Sequence, residues 1–138
     1  LAAVTTRATQ PPASAVTLPA GAPTNVINLS LNPGSYYVWG IVTFVLNGST
    51  IIGEQIGISD ITQAFVAEAG DSVIAPNPNM YWPFATNSTS GNHTMEVGPV
   101  IVTVTTPFTL IFLVAQQNSS TGTVTAYGTL RASLISAP

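Results

Sequence analysis

Thr123 to Ile135, TVTAYGTLRASLI, alternates side by side without a break: Val124, Ala126, Gly128, Leu130, Ala132 and Leu134 on one face, Thr123, Thr125, Tyr127, Thr129, Arg131 and Ser133 on the other. A period of two predicts a strand with one face in a core. Pro107 to Gln117, PFTLIFLVAQQ, behaves differently. Phe108, Leu110, Phe112 and Val114 share one face, yet Ile111, Leu113 and Ala115 make the opposite one apolar too. The polar stretch Asn118 to Gly122 between the two segments predicts a turn and a closing hairpin. Ser35 to Asn47 repeats the two-sided pattern. Tyr36, Val38, Gly40, Val42, Phe44 and Leu46 alternate with Tyr37, Trp39, Ile41, Thr43 and Val45. A strand apolar on both faces is covered on both. The second cover must come from a second sheet, a long loop or another copy of the chain. Tyr37, Trp39, Ile41, Ile111 and Leu113 are therefore candidates for an oligomer interface.

The remaining segments read as short strands and turns. Asn25 to Leu31 is a strand, and Asn32-Pro33-Gly34-Ser35 places Pro and Gly as a type II turn requires. Asn47-Gly48 is a hairpin signal. Thr50 to Ser59 is a strand bent at Gly53 and Gly57. Ile61 to Ala67 and Ser72 to Ala75 follow, and then His93 to Val97 and Val100 to Thr105, separated by Gly98-Pro99. The total is about eight strands, the number of a jelly-roll sandwich. Residues 1–23 hold Pro11-Pro12, Pro19 and Pro23 among Ala and Thr and show no periodicity. They predict an extended arm or linker ahead of a β domain over 24–138, either a frayed tail or an arm crossing a neighbouring subunit. Residues 76–92, PNPNMYWPFATNSTSGN, predict a long irregular loop. Its Met80, Tyr81, Trp82 and Phe84 form a candidate ligand or partner loop. Trp82 and Tyr81 could stack on a sugar ring, or the group could cap the end of the barrel.

Composition narrows the function. Only 5% of residues are charged, against about 25% in ordinary domains. There is no lysine, and Arg7 and Arg131 are the two basic residues of a chain with net charge -3. Nothing here can neutralise a row of phosphates, so nucleic acid is not an expected partner. No apolar run has the length of a membrane span. Without cysteine there are no disulfides and no thiolate metal sites. A surface so poor in charge is easier to understand if much of it is buried in an assembly. The sequence starts at Leu1 rather than Met, which reads as a processed product or a fragment.

The residue types of catalysis are sparse. His93 is the single histidine, near Thr94 and Glu96, and no serine sits in a nucleophile elbow. Glu54, Asp60, Glu68, Asp71 and Glu96 show neither a paired-carboxylate nor a calcium-loop spacing. No enzyme, cofactor or metal is expected, and a site built on His93 and Glu96 would lack further ligands. Sequons at Asn28, Asn47, Asn87, Asn92 and Asn118 are what a chain rich in Asn, Ser and Thr produces by chance.

Three stretches carry a family resemblance: Leu31 to Gly40 (LNPGSYYVWG), Gly98-Pro99-Val100 leading into VTV, and Thr109 to Ile135. The last resembles an ending in which a YLVAQ segment is followed by TAYG, Thr or Phe, Leu or Ile, then Arg and Ala. That ending belongs to phage virion proteins whose C-terminal β domains are similar to the heads of tumour necrosis factor and complement C1q. The resemblance covers the two ends of the domain and little of 50–97. The group's second basic residue after Arg131-Ala132 is replaced here by Ser133, which removes a charged contact. The resemblance implies a TNF/C1q-like jelly roll that forms homotrimers, with apolar strand faces packed about a threefold axis. It implies a virion protein on the outer surface of a capsid or at a fibre tip. The expected role is capsid decoration (cement) or head fibre, contacting a major capsid protein or another virion protein. The alternatives are a tail-fibre knob recognising host surface glycan and a secreted C1q-like carbohydrate-binding module.

Overall fold

The computed structural model describes residues 5–60, 91–105, 109–118 and 123–137 in full, and residues 79–88 and 119 by their backbone. Nine strands lie among these: β1 (Thr5–Gln10), β2 (Val16–Leu18), β3 (Thr24–Leu31), β4 (Gly34–Val45), β5 (Ile51–Ser59), β6 (Asn79–Ser88), β7 (Asn92–Val104), β8 (Thr109–Ser119) and β9 (Val124–Ser136). A 3₁₀ turn at Pro12–Ser14 separates β1 from β2. One sheet runs β1-β9-β4-β7, with β2 also on β9, and the other runs β3-β8-β5-β6. From β2 to β9 the chain changes sheet at every connection except β5 to β6. This alternation makes the fold an all-β jelly-roll sandwich, with β1 as an extra segment beside β9.

The alternation read in the sequence decides which side chains meet. In β4, Tyr36, Val38, Val42 and Phe44 point into the sandwich, and Tyr37 and Ile41 point out. In β9, Val124, Ala126, Leu130 and Ala132 are buried. Ile56, Ile58, Ile111, Leu113 and Ala115 meet them from the other sheet. The two layers interdigitate at Gly40. A Cβ there would sit 2.6 Å from Cδ1 of Leu113, so Leu113 occupies the space that a β4 side chain leaves empty.

Both expected hairpins turn out to be corners between sheets. Asn47 (φ 51°) and Gly48 (φ 80°) form a tight reversal closed by Ser49 N–H donating to Leu46 O at 2.9 Å. The strands on either side do not pair, because β4 already has β7 along one edge and β9 along the other. The same holds for β8 and β9. β8 lies between β3 and β5, and β9 lies between β4 and the N-terminal segment. Gly98-Pro99 does not interrupt β7. Its cis peptide lies in a bulge where two residues oppose Trp39, and pairing resumes with Val38 opposite Val100.

Two further segments differ from the sequence reading. Residues 79–88, expected as part of an irregular loop, form β6 and pair with β5. Pro83 is tolerated there because β6 is an edge strand. The stretch expected as an arm, 1–23, is described from Thr5. It lies along β9 of its own chain, and Leu18 is in the core. The strands expected at 61–67 and 72–75 lie outside the described residues.

Gly128 of β9 stands where a Cβ would run into the carbonyl of Ile41 on β4. Gly128→Ala should therefore push the two central strands apart and cost about 1–3 kcal/mol. Thr129→Ala, on the opposite face, should stay within about 0.5 kcal/mol. Chemical denaturation of both variants checks this, and equal small losses would show that the strands are not tightly apposed at Gly128.

Candidate assembly surface

The outward face of the first sheet is set by strand register. Reading across β1, β9, β4 and β7, Thr5, Ser133, Tyr37 and Ile101 form one row, and Arg7, Arg131 and Trp39 form the next. Thr9, Thr129, Ile41 and Glu96 follow. Tyr37 is 47% exposed, and Ile41 and Ile101 are each 37% exposed. Trp39 is partly buried. These apolar groups are contiguous, which distinguishes them from isolated surface hydrophobics. Hydroxyl pairs bridge the strands on this face: Thr9 with Thr129 at 3.3 Å, Thr43 with Thr94 at 2.9 Å, Ser35 with Thr103 at 3.2 Å.

A groove of about 300 Å³ crosses this face. Trp39, Gly40 and Ile41 line it along β4. Glu96 and Gly98-Pro99 bound it on β7, and Thr129 and Arg131 on β9. An apolar depression formed by Tyr37, Trp39, Pro99 and Ser133 adjoins it. Arg7 and Arg131, the two cations of the whole chain, are direct cross-strand partners. Like charges directly opposite in a sheet repel. Among the described residues neither guanidinium forms an ion pair. Arg7, Arg131 and Glu96 are also the exposed charged side chains of the described surface, where Asp60 and His93 are partly buried.

The structure divides the residues singled out in the sequence. Tyr37, Trp39 and Ile41 lie together on this outer face. Ile111 and Leu113 do not: both are 0% exposed within the single chain, because the inner face of β8 packs against the opposite sheet. They are core residues and cannot line an interface between copies. Met80, Tyr81, Trp82 and Phe84 lie in β6, where the backbone pairs Tyr81 with Gln55 and Trp82 with Glu54, and their side chains lie outside the described residues.

One polar feature escaped the sequence reading. Glu54 shares its face with Ile56 and Ile58 and is 1% exposed. Its Oε1 lies 2.6 Å from Nδ1 of His93, which faces inward from β7, so the contact ties one sheet to the other. Burial pushes the Glu54 carboxyl above its ordinary range, and the hydrogen bond and charge of His93 offset part of that. Among the described residues Oε2 of Glu54 has no hydrogen-bond partner. Gln117, the cross-strand neighbour of Glu54, donates Nε2 to Leu18 O at 2.9 Å, while its own Oε1 has no partner among the described residues. The signal was the parity of Glu54 with two isoleucines, which puts a carboxylate on a core face. Its partner is 39 residues away and could not be read. His93 and Glu96, three apart on a strand, point to opposite faces and share no site. Among the described residues no three His, Asp or Glu side chains gather.

No protein-family model matches the sequence, and no curated protein matches it. Solved structures share the fold. One is of the infectious bursal disease virus Gx strain, with a TM-score of 0.50 and 16% identity, over 96% of this chain and 32% of that one. Another is the VP2 subviral particle of infectious bursal disease virus, with a TM-score of 0.52 and 16% identity, over 96% of this chain and 33% of that one. The chain spans about a third of the length of either. At this identity the likeness shows the fold.

The Glu54 environment has a pH consequence. Its folded pKa lies above the ordinary value of 4.5. Its contribution is therefore fully present below that value and is lost as pH rises through the folded pKa. Glu54→Gln should remove this slope. The stability of the variant relative to the parent should rise with pH from 4.5 upward and then level off. Thermal melts of both proteins across mildly acidic to neutral pH measure this, and a pH-independent difference would mean the carboxyl titrates normally.

Proposed function

We propose that this chain is a non-enzymatic structural protein of a virus particle, assembling with copies of itself through the outward face of β9, β4 and β7. The observation that carries the reading is that face: exposed Tyr37, Ile41 and Ile101, with the partly buried Trp39 among them, form a contiguous apolar surface on a protein with almost no charge. Such a surface marks a contact site rather than a solvated exterior. The fold likeness to a virus protein and a subviral particle supports the virion role. So does the resemblance of Thr109 to Ile135 to phage virion endings. Within that role the finer reading is a capsid decoration or head-fibre protein on the outside of the particle, in contact with a capsid protein. The expected trimer and the alternative glycan-binding knob draw on the same resemblance.

Two measurements test this. Light scattering should give a native mass above that of one chain, and Trp39→Asp should lower it to one chain without changing the strand signal in circular dichroism. A monomeric parent at high concentration removes self-assembly from the proposal. Purified virus particles from the source should contain the chain in abundance. Chymotryptic peptides are the ones to look for, because trypsin would cut only after Arg7 and Arg131. Their absence removes the virion role.

A further inference from the structure

We infer that the outward face of the first sheet binds a second copy of this chain about a twofold axis, with Arg7 and Arg131 of each copy receiving Glu96 of the other. This rests on the reading of that face as an assembly surface and specifies its partner and its register, in place of the threefold arrangement that the resemblance implies.

The charge pattern selects the occupant. Arg7 on β1 and Arg131 on β9 lie toward one margin of the face, and Glu96 on β7 lies at the other. Trp39 and Ile41 on β4 run between them, and Arg131 and Glu96 border the same groove. Rotation by a half-turn about an axis over β4 exchanges the two margins. It lays β9 over the partner's β7, so that Arg131 faces the strand of Glu96 two residues along from it and Arg7 flanks it at the outer edge, and it lays the apolar centre of one face on that of the other. Such an isologous contact is self-complementary by symmetry. It also removes an otherwise unexplained cost, the repulsion between two arginines placed directly opposite each other. A partner with a mostly basic or mostly acidic surface would satisfy one margin and leave the other unpaired.

The size of the face sets how strong the contact is. Four strands about 4.8 Å apart, and about 27 Å from Tyr37 to Val45 at about 3.4 Å per residue, give roughly 500 Å² per copy. The total of about 1,000 Å² is at the lower limit for a specific interface. Area alone therefore makes a weak dimer, and three charges per copy suffice to set its orientation.

The test is charge reversal followed by restoration, read as native mass and dissociation constant by light scattering and sedimentation, with circular dichroism to confirm folding. Glu96→Arg alone, and Arg7→Glu with Arg131→Glu, should each weaken the dimer at least about tenfold. The chain carrying all three changes has the charges exchanged and should dimerise like the parent. Mixing the two singly reversed chains should give heterodimers where neither forms homodimers. A parent of three chains, or charge reversals that leave the dissociation constant unchanged, would overturn the twofold pairing. Trp39→Asp separates the two levels. If it abolishes association while the reversals do nothing, the face is an assembly surface with a different register. If it also does nothing, the reading of the face itself is wrong.

Discussion

The fit of Leu113 into the place left by Gly40 fixes how the two sheets meet. β4 is the strand on which both layers depend. Its inner residues Val38, Val42 and Phe44 form the middle of the core, and both of its edges are used, by β7 and β9. With Gly40 opening a slot, the second sheet can approach closely enough for Ile111 and Leu113 to be sealed off. The strict alternation of β4 then decides the outside: if Val38 and Val42 must face in, Tyr37, Trp39 and Ile41 must face out. The exposed aromatic face is a consequence of the core register, because a strand cannot turn one residue without turning its neighbours.

This explains which features were legible in the sequence. The strands and the faces of β4 and β9 follow from parity, a local property, and they could be read residue by residue. The partners of those strands could not. Asn47-Gly48 specifies a reversal, and reversal alone predicts a hairpin, but the edges of β4 are taken by β9 and β7, strands that lie far along the chain. The same nonlocal competition makes a corner of the connection from β8 to β9. It also decides between the possible covers for two-sided strands. In both β4 and β8 the inner face is closed by the chain's own opposite sheet, and the outer face leaves Tyr37 and Ile41 on β4 and Leu110 on β8 exposed. The pattern says that both faces are apolar, and only the topology says which of the two is sealed within the chain.

Glu54 and His93 show the same limit for polar groups. A carboxylate in phase with Ile56 and Ile58 is marked as buried by its position, and a buried carboxylate needs a partner. The sequence offers one histidine, on a segment that parity turns inward at His93 and outward at Glu96. The contact between sheets is thus half legible: the need is local and the supplier is not. Its energetic sign follows from burial. The raised carboxyl pKa comes from burial, which disfavours the ionised form, while the hydrogen bond and charge of His93 favour it and recover part of that cost. The contact orients β5 against β7, and the cost of desolvating both groups offsets much of what it adds to stability.

The scarcity of charge gives the few exposed charges unusual weight. On an ordinary domain, with about a quarter of its residues charged, three groups on one face would be lost among many. Here the two arginines, separated by most of the chain, are brought into direct register, and Glu96 is held across the groove from them. No long-range background competes with this pattern on the described surface. A docking that sets arginine on arginine, or leaves a guanidinium desolvated without its carboxylate, is disfavoured. Apolar contact makes association favourable but is tolerant of sliding, since threonine and isoleucine rows repeat every second residue. The charges do not repeat. In this surface the hydrophobic groups supply attraction and the three ions supply register, a division of labour in which specificity comes mainly from the arrangements that the charges forbid.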